Sequence, residues 1–171
     1  VLFRSSFCNA QFVLVGSGAS ASLENRIISL CQKHKEKKKL AFALVYDESL
    51  SHRTFAAADV IFIPSTFEPC GLTQMIAHRY GTIPLAHATG GLKDTISSGV
   101  NGFLLPSLTK EKVEESIHNI LQLYPTEEWN VMRIQAMQID WSWNKSLQSY
   151  WHIYKKLLQK ESKSSCHTKI A

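Results

Sequence analysis

Short apolar runs alternate with stretches of helical spacing along the first two thirds of the chain. Gln11-Phe-Val-Leu-Val15 reads as a buried strand closed by Gly16-Ser-Gly18, and Leu23, Ile27, Leu30 and Cys31 then recur on one helical face. Leu40-Ala-Phe-Ala-Leu-Val45 predicts a second strand ending at Tyr46-Asp47. A short helix from Ser49 then carries Leu50, Phe55 and Ala58 inward, and Asp59-Val-Ile-Phe-Ile63 predicts a third strand. Helical spacing resumes from Gly71 and stops near Tyr80-Gly81, ahead of a fourth strand at Thr82-Ile-Pro-Leu-Ala86. Beyond Gly90-Gly91 and the stretch Leu92-Lys-Asp-Thr-Ile96, turns at Ser97-Ser-Gly99 and Asn101-Gly102 lead to a short strand, Phe103-Leu-Leu105. From there the pattern is helical. Lys110 to Leu123 places Val113, Ile117, Ile120 and Leu121 on one face, Pro125 stops it, and helices follow over Trp129 to Ile139 and Trp143 to Leu158. Strands alternating with helices at this interval predict an α/β fold, a Rossmann-like parallel sheet with helices on both faces, followed by carboxy-terminal helices. One domain over residues 1–171 is expected, with 1–11 and 160–171 poorly ordered.

The stretch from Ile61 to His78 concentrates the candidate chemistry. An apolar run breaks at Pro64, passes through a polar turn and re-enters helical spacing at Leu72. In an open parallel sheet, ligands settle outside the carboxyl ends of strands, and a helix amino terminus there offers unpaired N–H donors with partial positive charge. Gly71 allows an anion to approach, Thr73 adds a hydroxyl, Gln74 adds an amide, and Glu68 is an acceptor suited to sugar hydroxyls. Donors beside a carboxylate point to a sugar phosphate. A plain strand-to-helix turn, with Glu68 as a helix-start carboxylate, satisfies the same pattern.

Composition narrows the choices. The 171 residues are 44% hydrophobic and 19% charged, ordinary for one domain with its own core. Nineteen Lys and Arg against 14 Asp and Glu leave a net charge of +5, part of it in the run Lys33-His-Lys-Glu-Lys-Lys-Lys39. No aromatic residues interleave that run, so a solvated helix end is expected there, with no nucleic-acid partner. Cys8, Cys31, Cys70 and Cys166 form no CxxC pair and have no histidine at zinc-ligand spacing, so no disulfide framework, metal or other cofactor is expected. No stretch approaches the roughly 18 apolar residues of a membrane span, so no membrane partner is expected. The opening Val1-Leu-Phe-Arg, without Met or signal pattern, is read as that of a fragment.

Gly16-Ser-Gly-Ala-Ser-Ala21, between a strand and a helix, fits the dinucleotide fingerprint, and an NAD-binding Rossmann unit is therefore one alternative. Such a site wants an acid about 20 positions on, at the end of the second strand. Glu36 falls before that strand and Asp47 comes late, so the glycines are better explained by the tight turn. Tyr46 sits where a ring could stack on a flat base, with a ring merely capping the core as the alternative. Cys70 at a helix start is either a reactive thiol or a small packed residue. Trp141 and Trp143, two apart, cannot share a helix face, so one buried and one partly exposed ring are expected at the helix junction. The last helix carries Tyr150, Trp151, Ile153, Tyr154 and Leu157, a surface suited to a partner domain.

Three blocks in order, Glu68-Pro-Cys-Gly-Leu-Thr-Gln74, Arg79-Tyr-Gly-Thr-Ile-Pro84 and Thr89-Gly-Gly-Leu-Lys-Asp-Thr95, resemble the nucleotide-sugar half of bacterial glycogen synthases and plant starch synthases. Tyr46-Asp-Glu-Ser-Leu-Ser-His-Arg53 and Asp140-Trp-Ser-Trp143 extend the resemblance over roughly residues 12 to 158. It implies the second half of a GT-B glycosyltransferase, in which two Rossmann-like domains face a cleft. It also implies the activity: retaining transfer of glucose from ADP-glucose to the non-reducing end of an α-1,4-glucan. By resemblance Glu68 holds the glucose and Gly71, Leu72 and Thr73 bind the diphosphate through backbone N–H groups. Gln74, Cys70, Thr89, Gly90 and Gly91 line the donor site, Gly16 and Gly18 border the cleft, and Tyr46 packs on the adenine. The second glutamate of the wider superfamily is replaced by Ile76, as in the synthase branch. The Arg-Lys or Arg-Arg pair often found before Thr-Gly-Gly is here His87-Ala88. The Lys-x-Gly-Gly motif and the acceptor groove of the amino-terminal domain are not in these residues, so the chain alone is expected to be inactive. A plastid is implied for a plant source and the cytoplasm for a bacterial one. A non-catalytic glucan-binding module is the remaining alternative.

Overall fold

The computed structural model describes residues 10–16, 20–33, 40–124 and 126–165, with side chains as far as residue 159. Gly18, most of the lysine run, Cys8 and Cys166 lie outside the described residues. Two compact units follow one another, Val1–Gln138 and Ile139–Ala171, where the sequence was read as one.

In the first unit, β1 (Phe12–Val15) pairs in parallel with β2 (Leu40–Ala43), and α1 (Ala21–Lys33) connects them. α2 (Glu48–Ala57) leads to β3 (Val60–Ile63), α3 (Thr73–Tyr80) to β4 (Ile83–His87), and α4 (Gly90–Thr95) to β5 (Phe103–Leu105). β3, β4 and β5 form a second parallel sheet with β4 central. Among the described residues all strand pairs are parallel, as the alternation predicts, and the ladder falls into two sheets. α5 (Lys110–Leu123) and α6 (Glu127–Gln138) complete the unit.

β4 is buried along almost its whole length, as a strand covered on both faces must be. Its alternation divides the core. Ile83 and Leu85 join Leu105, Val113, Ile120, Trp129, Met132 and Ala136 beneath α5 and α6, whereas Ala86 joins Ile63, Leu92 and Ile96 beneath α4. Pro84 in a central strand calls for an explanation, because it has no N–H for the ladder. The Ile83 N–H donates toward β3, to Asp59 O, and the Ala88 N–H toward β5, to Leu105 O, so even-numbered residues face β5. β5 joins only at Leu85, and opposite Pro84 stands Gly102, whose added Cβ would lie 2.8 Å from the Pro84 Cγ.

α3 is held at both ends and along one face. Gly81 closes it with φ 73°, and Arg133 Nε from α6 donates to Gly81 O at 3.2 Å. Thr82 Oγ1 donates to Phe55 O at 2.6 Å and lies 3.0 Å from Ala58 O, fastening the end of α2 to the start of β4. Gln74, Ala77 and His78, the inward face of α3, are each 0% exposed. His78 Nε2 donates to Asn101 O at 2.9 Å, and Asn101 Nδ2 donates to Thr95 O at 3.0 Å. A buried polar layer therefore joins α3 to the segment between α4 and β5.

The second unit is dominated by α7 (Trp143–Ser165), which continues as helix past Lys160, where fraying is expected from the sequence. Residues 166–171 lie outside the described residues. Trp141 is half-buried and Trp143 exposed, and Leu147, Tyr150, Trp151, Tyr154, Leu157 and Leu158 of α7 are all exposed.

Trp129 carries the largest buried side chain of the core at 2% exposure, and its removal leaves a cavity under β4. Trp129→Ala is expected to lower stability by about 3–5 kcal/mol in urea denaturation, and a loss below about 1 kcal/mol would contradict this packing. Burial pushes the imidazole pKa of His78 down, against a smaller upward effect of the bond to Asn101. The unfolded chain then takes up the proton first as pH falls through about 6.5, so this part of the stability is present above that value and is lost progressively below it, down to the folded pKa. Urea midpoints followed from about pH 8 to about pH 5 should fall less steeply for His78→Gln than for the wild type. Parallel slopes would rule His78 out as a source.

Candidate functional site

The turns that leave β3 and β4 meet at the carboxyl edge of the sheet. His87, at the end of β4, donates through Nδ1 to Ser65 O at 2.8 Å, tying the two strand ends together. Ser65 Oγ donates to Glu68 Oε2 at 3.3 Å, so the acid is oriented from within its own turn. The Gly91 N–H donates to Glu68 O at 3.0 Å, and Thr89 Oγ1 lies 3.4 Å from Thr66 O. Each link runs from one turn to the other or holds the acid that lies between them.

The contact is close enough to require glycine. A Cβ on Gly90 would lie 1.9 Å from Glu68 O, and one on Gly91 would lie 2.5 Å from Cys70 O. Real Cβ atoms do not approach main-chain oxygens that closely. The sequence suggests that this pair lets a ligand come near the backbone. In the structure the backbone that comes near is that of Glu68 to Cys70.

Gly71 turns into α3 with φ 78°, a left-handed conformation. Leu72 is the cap residue and no side chain caps the helix; the first hydrogen bond of α3 is Ile76 N–H to Leu72 O at 2.9 Å. The N–H groups of the preceding turn have no partner within the helix, and they carry the positive end of the helix dipole. Leu72 and Thr73 are exposed there, Glu68 is half-buried and Cys70 is an exposed free thiol. An anion at this end would meet oriented amides, with a carboxylate beside it for hydroxyls.

Gln74 differs from its expected role. Its Nε2 lies 2.8 Å from Gly71 O, 3.1 Å from Cys70 O and 3.0 Å from Thr95 Oγ1, and the side chain is fully buried. The amide points inward.

Gly16 and Tyr46 belong to the other sheet. The Gly16 N–H donates to Ala43 O at 3.0 Å, just past the end of β1, and Tyr46 follows β2 with 92% of its surface exposed. Ser65, His87 and Thr95 were not singled out as site residues from the sequence; His87 was noticed only for the cation it replaces. A shallow depression of about 670 Å³ along α1 is lined by Ser22, Asn25, Arg26, Ser29 and Leu30, with no acid, thiol or imidazole among them. The acid, the uncapped helix and the paired turns make the β3–β4 edge the stronger site. Among the described residues no group of three His, Cys, Asp or Glu is placed to hold a metal, and no helix is long and apolar enough to cross a membrane.

Residues 2–136 match the family model described as "Glycosyl transferases group 1". A glycogen synthase of Elusimicrobium minutum is 38% identical over 157 residues, covering 88% of this chain and 32% of that protein. A probable starch synthase 4, chloroplastic/amyloplastic, of Arabidopsis thaliana is 36% identical over 164 residues, covering 90% of this chain and 16% of that protein. The chain thus spans about a third or less of the curated relatives it matches. Among solved structures, the catalytic domain of starch synthase IV from Arabidopsis thaliana, bound to ADP and acarbose, is similar with a TM-score of 0.79 and 36% identity, covering 90% of this chain and 33% of that one. The two turns, the acid and the uncapped helix all fall within the matched residues, and on that match the chain belongs to the glycosyl transferases group 1 family.

Proposed function

We propose that this chain is the donor-binding part of a starch or glycogen synthase, holding ADP-glucose for retaining transfer of glucose to the non-reducing end of an α-1,4-glucan. The observation that carries the reading is the juncture at the β3–β4 edge, where Glu68 stands beside the uncapped start of α3. The similar starch synthase bound to ADP supports the choice of nucleotide.

Each group then has a part. The amides from Gly71 to Thr73 receive the diphosphate, meeting the negative charge that builds as it departs, which is how preorganised donors lower a barrier. Glu68 accepts hydrogen bonds from the glucose hydroxyls, with Cys70 packed near the sugar. Tyr46, exposed after β2, stacks on the adenine. Gly16, Thr89, Gly90 and Gly91 border the donor. No enzymic nucleophile is required if acceptor and leaving group share one face of the sugar. The departing diphosphate then takes the proton of the acceptor hydroxyl. The acceptor groove belongs to the amino-terminal domain of the proposed parent enzyme, in a plastid for a plant source and in the cytoplasm for a bacterial one.

Isothermal calorimetry of the chain with ADP, ADP-glucose, UDP-glucose, NAD and maltoheptaose tests the assignment. ADP and ADP-glucose are expected to bind, and Glu68→Gln is expected to weaken ADP-glucose by about tenfold while leaving ADP within about twofold. Binding of NAD that survives Glu68→Gln would favour the dinucleotide reading instead. Binding of maltoheptaose without ADP would favour a glucan-binding module. In a radiolabelled ADP-glucose incorporation assay the chain alone is expected to show no turnover.

A further inference from the structure

We infer that Gln74 is a positioning residue for this site: its buried carboxamide fastens the Cys70–Gly71 turn to α4, and so fixes where the α3 amides and Glu68 are presented. The inference deepens the donor-site reading and rests on it for its functional part. Three observations carry it. Gln74 is 0% exposed, yet its Nε2 faces Cys70 O, Gly71 O and Thr95 Oγ1 within 3.1 Å. Thr95 Oγ1 donates in turn to Gly91 O at 2.7 Å, on the residue whose N–H holds Glu68 O. The third concerns orientation, because exchanging O and N of the amide would set an acceptor against two carbonyl oxygens.

The two amide hydrogens serve the two main-chain oxygens and the threonine hydroxyl on one nitrogen, while Oε1 is buried with no partner among the described residues. Burying an unpaired amide oxygen is unfavourable. Met, of similar shape, would remove the unpaired oxygen but would also take the donor away from Cys70 O, Gly71 O and Thr95 Oγ1. The carboxamide gains what Met cannot supply, a fixed geometry between two turns. Gly71 sits directly against it, since a Cβ there would lie 2.6 Å from Gln74 Oε1. The amide therefore also bounds the conformation of the residue that opens the anion-binding turn.

The test compares Gln74→Met with Thr95→Val, which removes the link across to α4 together with the Thr95 bond to Gly91 O, and with the double variant. Without ligand, exchange of the Gly91 amide measured by NMR and scaled to that of Leu85 in β4 should quicken by about tenfold in Gln74→Met and about threefold in Thr95→Val. ADP affinity, measured by calorimetry below the unfolding temperature of each variant, should fall by similar factors, and the double variant should match Gln74→Met alone, because both act through one link. A merely structural role would lower the melting temperature and leave both readouts of the folded chain unchanged. Unchanged Gly91 exchange, or ADP affinity within about twofold of wild type, overturns the inference. If Gln74→Met does not fold, Thr95→Val decides alone. A wild-type chain that binds no ADP refutes the donor-site reading, and the clamp then stands or falls on the exchange of Gly91.

Discussion

The hydrogen bond from the Gly91 N–H to Glu68 O, across a gap too narrow for any Cβ at residues 90 or 91, is the constraint on which this fold and its site converge. It joins the turns of two neighbouring parallel strands by main chain alone. Adjacent strands in a parallel sheet lie roughly 4.8 Å apart, and the turns above them can come no closer unless side chains are absent. Gly90 and Gly91 supply that absence. The position of the acid is thereby set by the backbone of the next βα unit rather than by the flexibility of its own loop, with His87 and Ser65 repeating the tie one level below.

The same logic extends downward into the core. α3 must be rigid if its first amides are to present a defined charge, and its buried face is unusual in carrying two polar residues, Gln74 and His78. Each sends a hydrogen bond toward α4 or the chain that follows it, Gln74 to Thr95 at the end of α4 and His78 to Asn101, while Asn101 bonds back to Thr95 and accepts from Ser97 N at 2.7 Å. An apolar interface would bury as much area and allow sliding. A chain of directional bonds fixes register as well as distance. Beneath it, Trp129 and Met132 of α6 fill the opposite side of β4, so the strand that bears His87 is clamped between two cores.

The strands and the longer helices were legible because burial imposes periods on the sequence. β5 and α5 fall at the predicted residues, and α3 closes at Gly81 as the pattern requires. What periodicity could not give was pairing: β1 and β2 have the apolar runs of central strands, yet Val13 and Leu14 remain exposed and no ladder joins them to β3 among the described residues. In the site, the acid and the glycines were legible from spacing and resemblance, whereas the direction of side chains was not. Glutamine early in a helix reads as a donor to a ligand. Only the positions of Cys70, Gly71 and Thr95 around it turn that amide inward. His87 was read as a missing cation for the same reason, because its bond to Ser65 O involves a strand pair that sequence does not display.

That substitution has an electrostatic consequence in the proposed reading. Where the synthase resemblance implies one or two cations before the Thr-Gly-Gly turn, this chain has a histidine whose Nδ1 is committed to a backbone carbonyl, followed by alanine. If a diphosphate binds as proposed, the work of meeting it falls to the amides of α3, whose terminus carries about half an elementary charge and acts only over its first turn. A weak, short-ranged source compensates only if it is held at the right distance, since its effect falls away within a few ångströms. In that reading the His87-Ala88 pair and the Gln74–Thr95–Gly91 link are two sides of one arrangement: the less side-chain charge a site carries, the more it depends on where its dipoles are held.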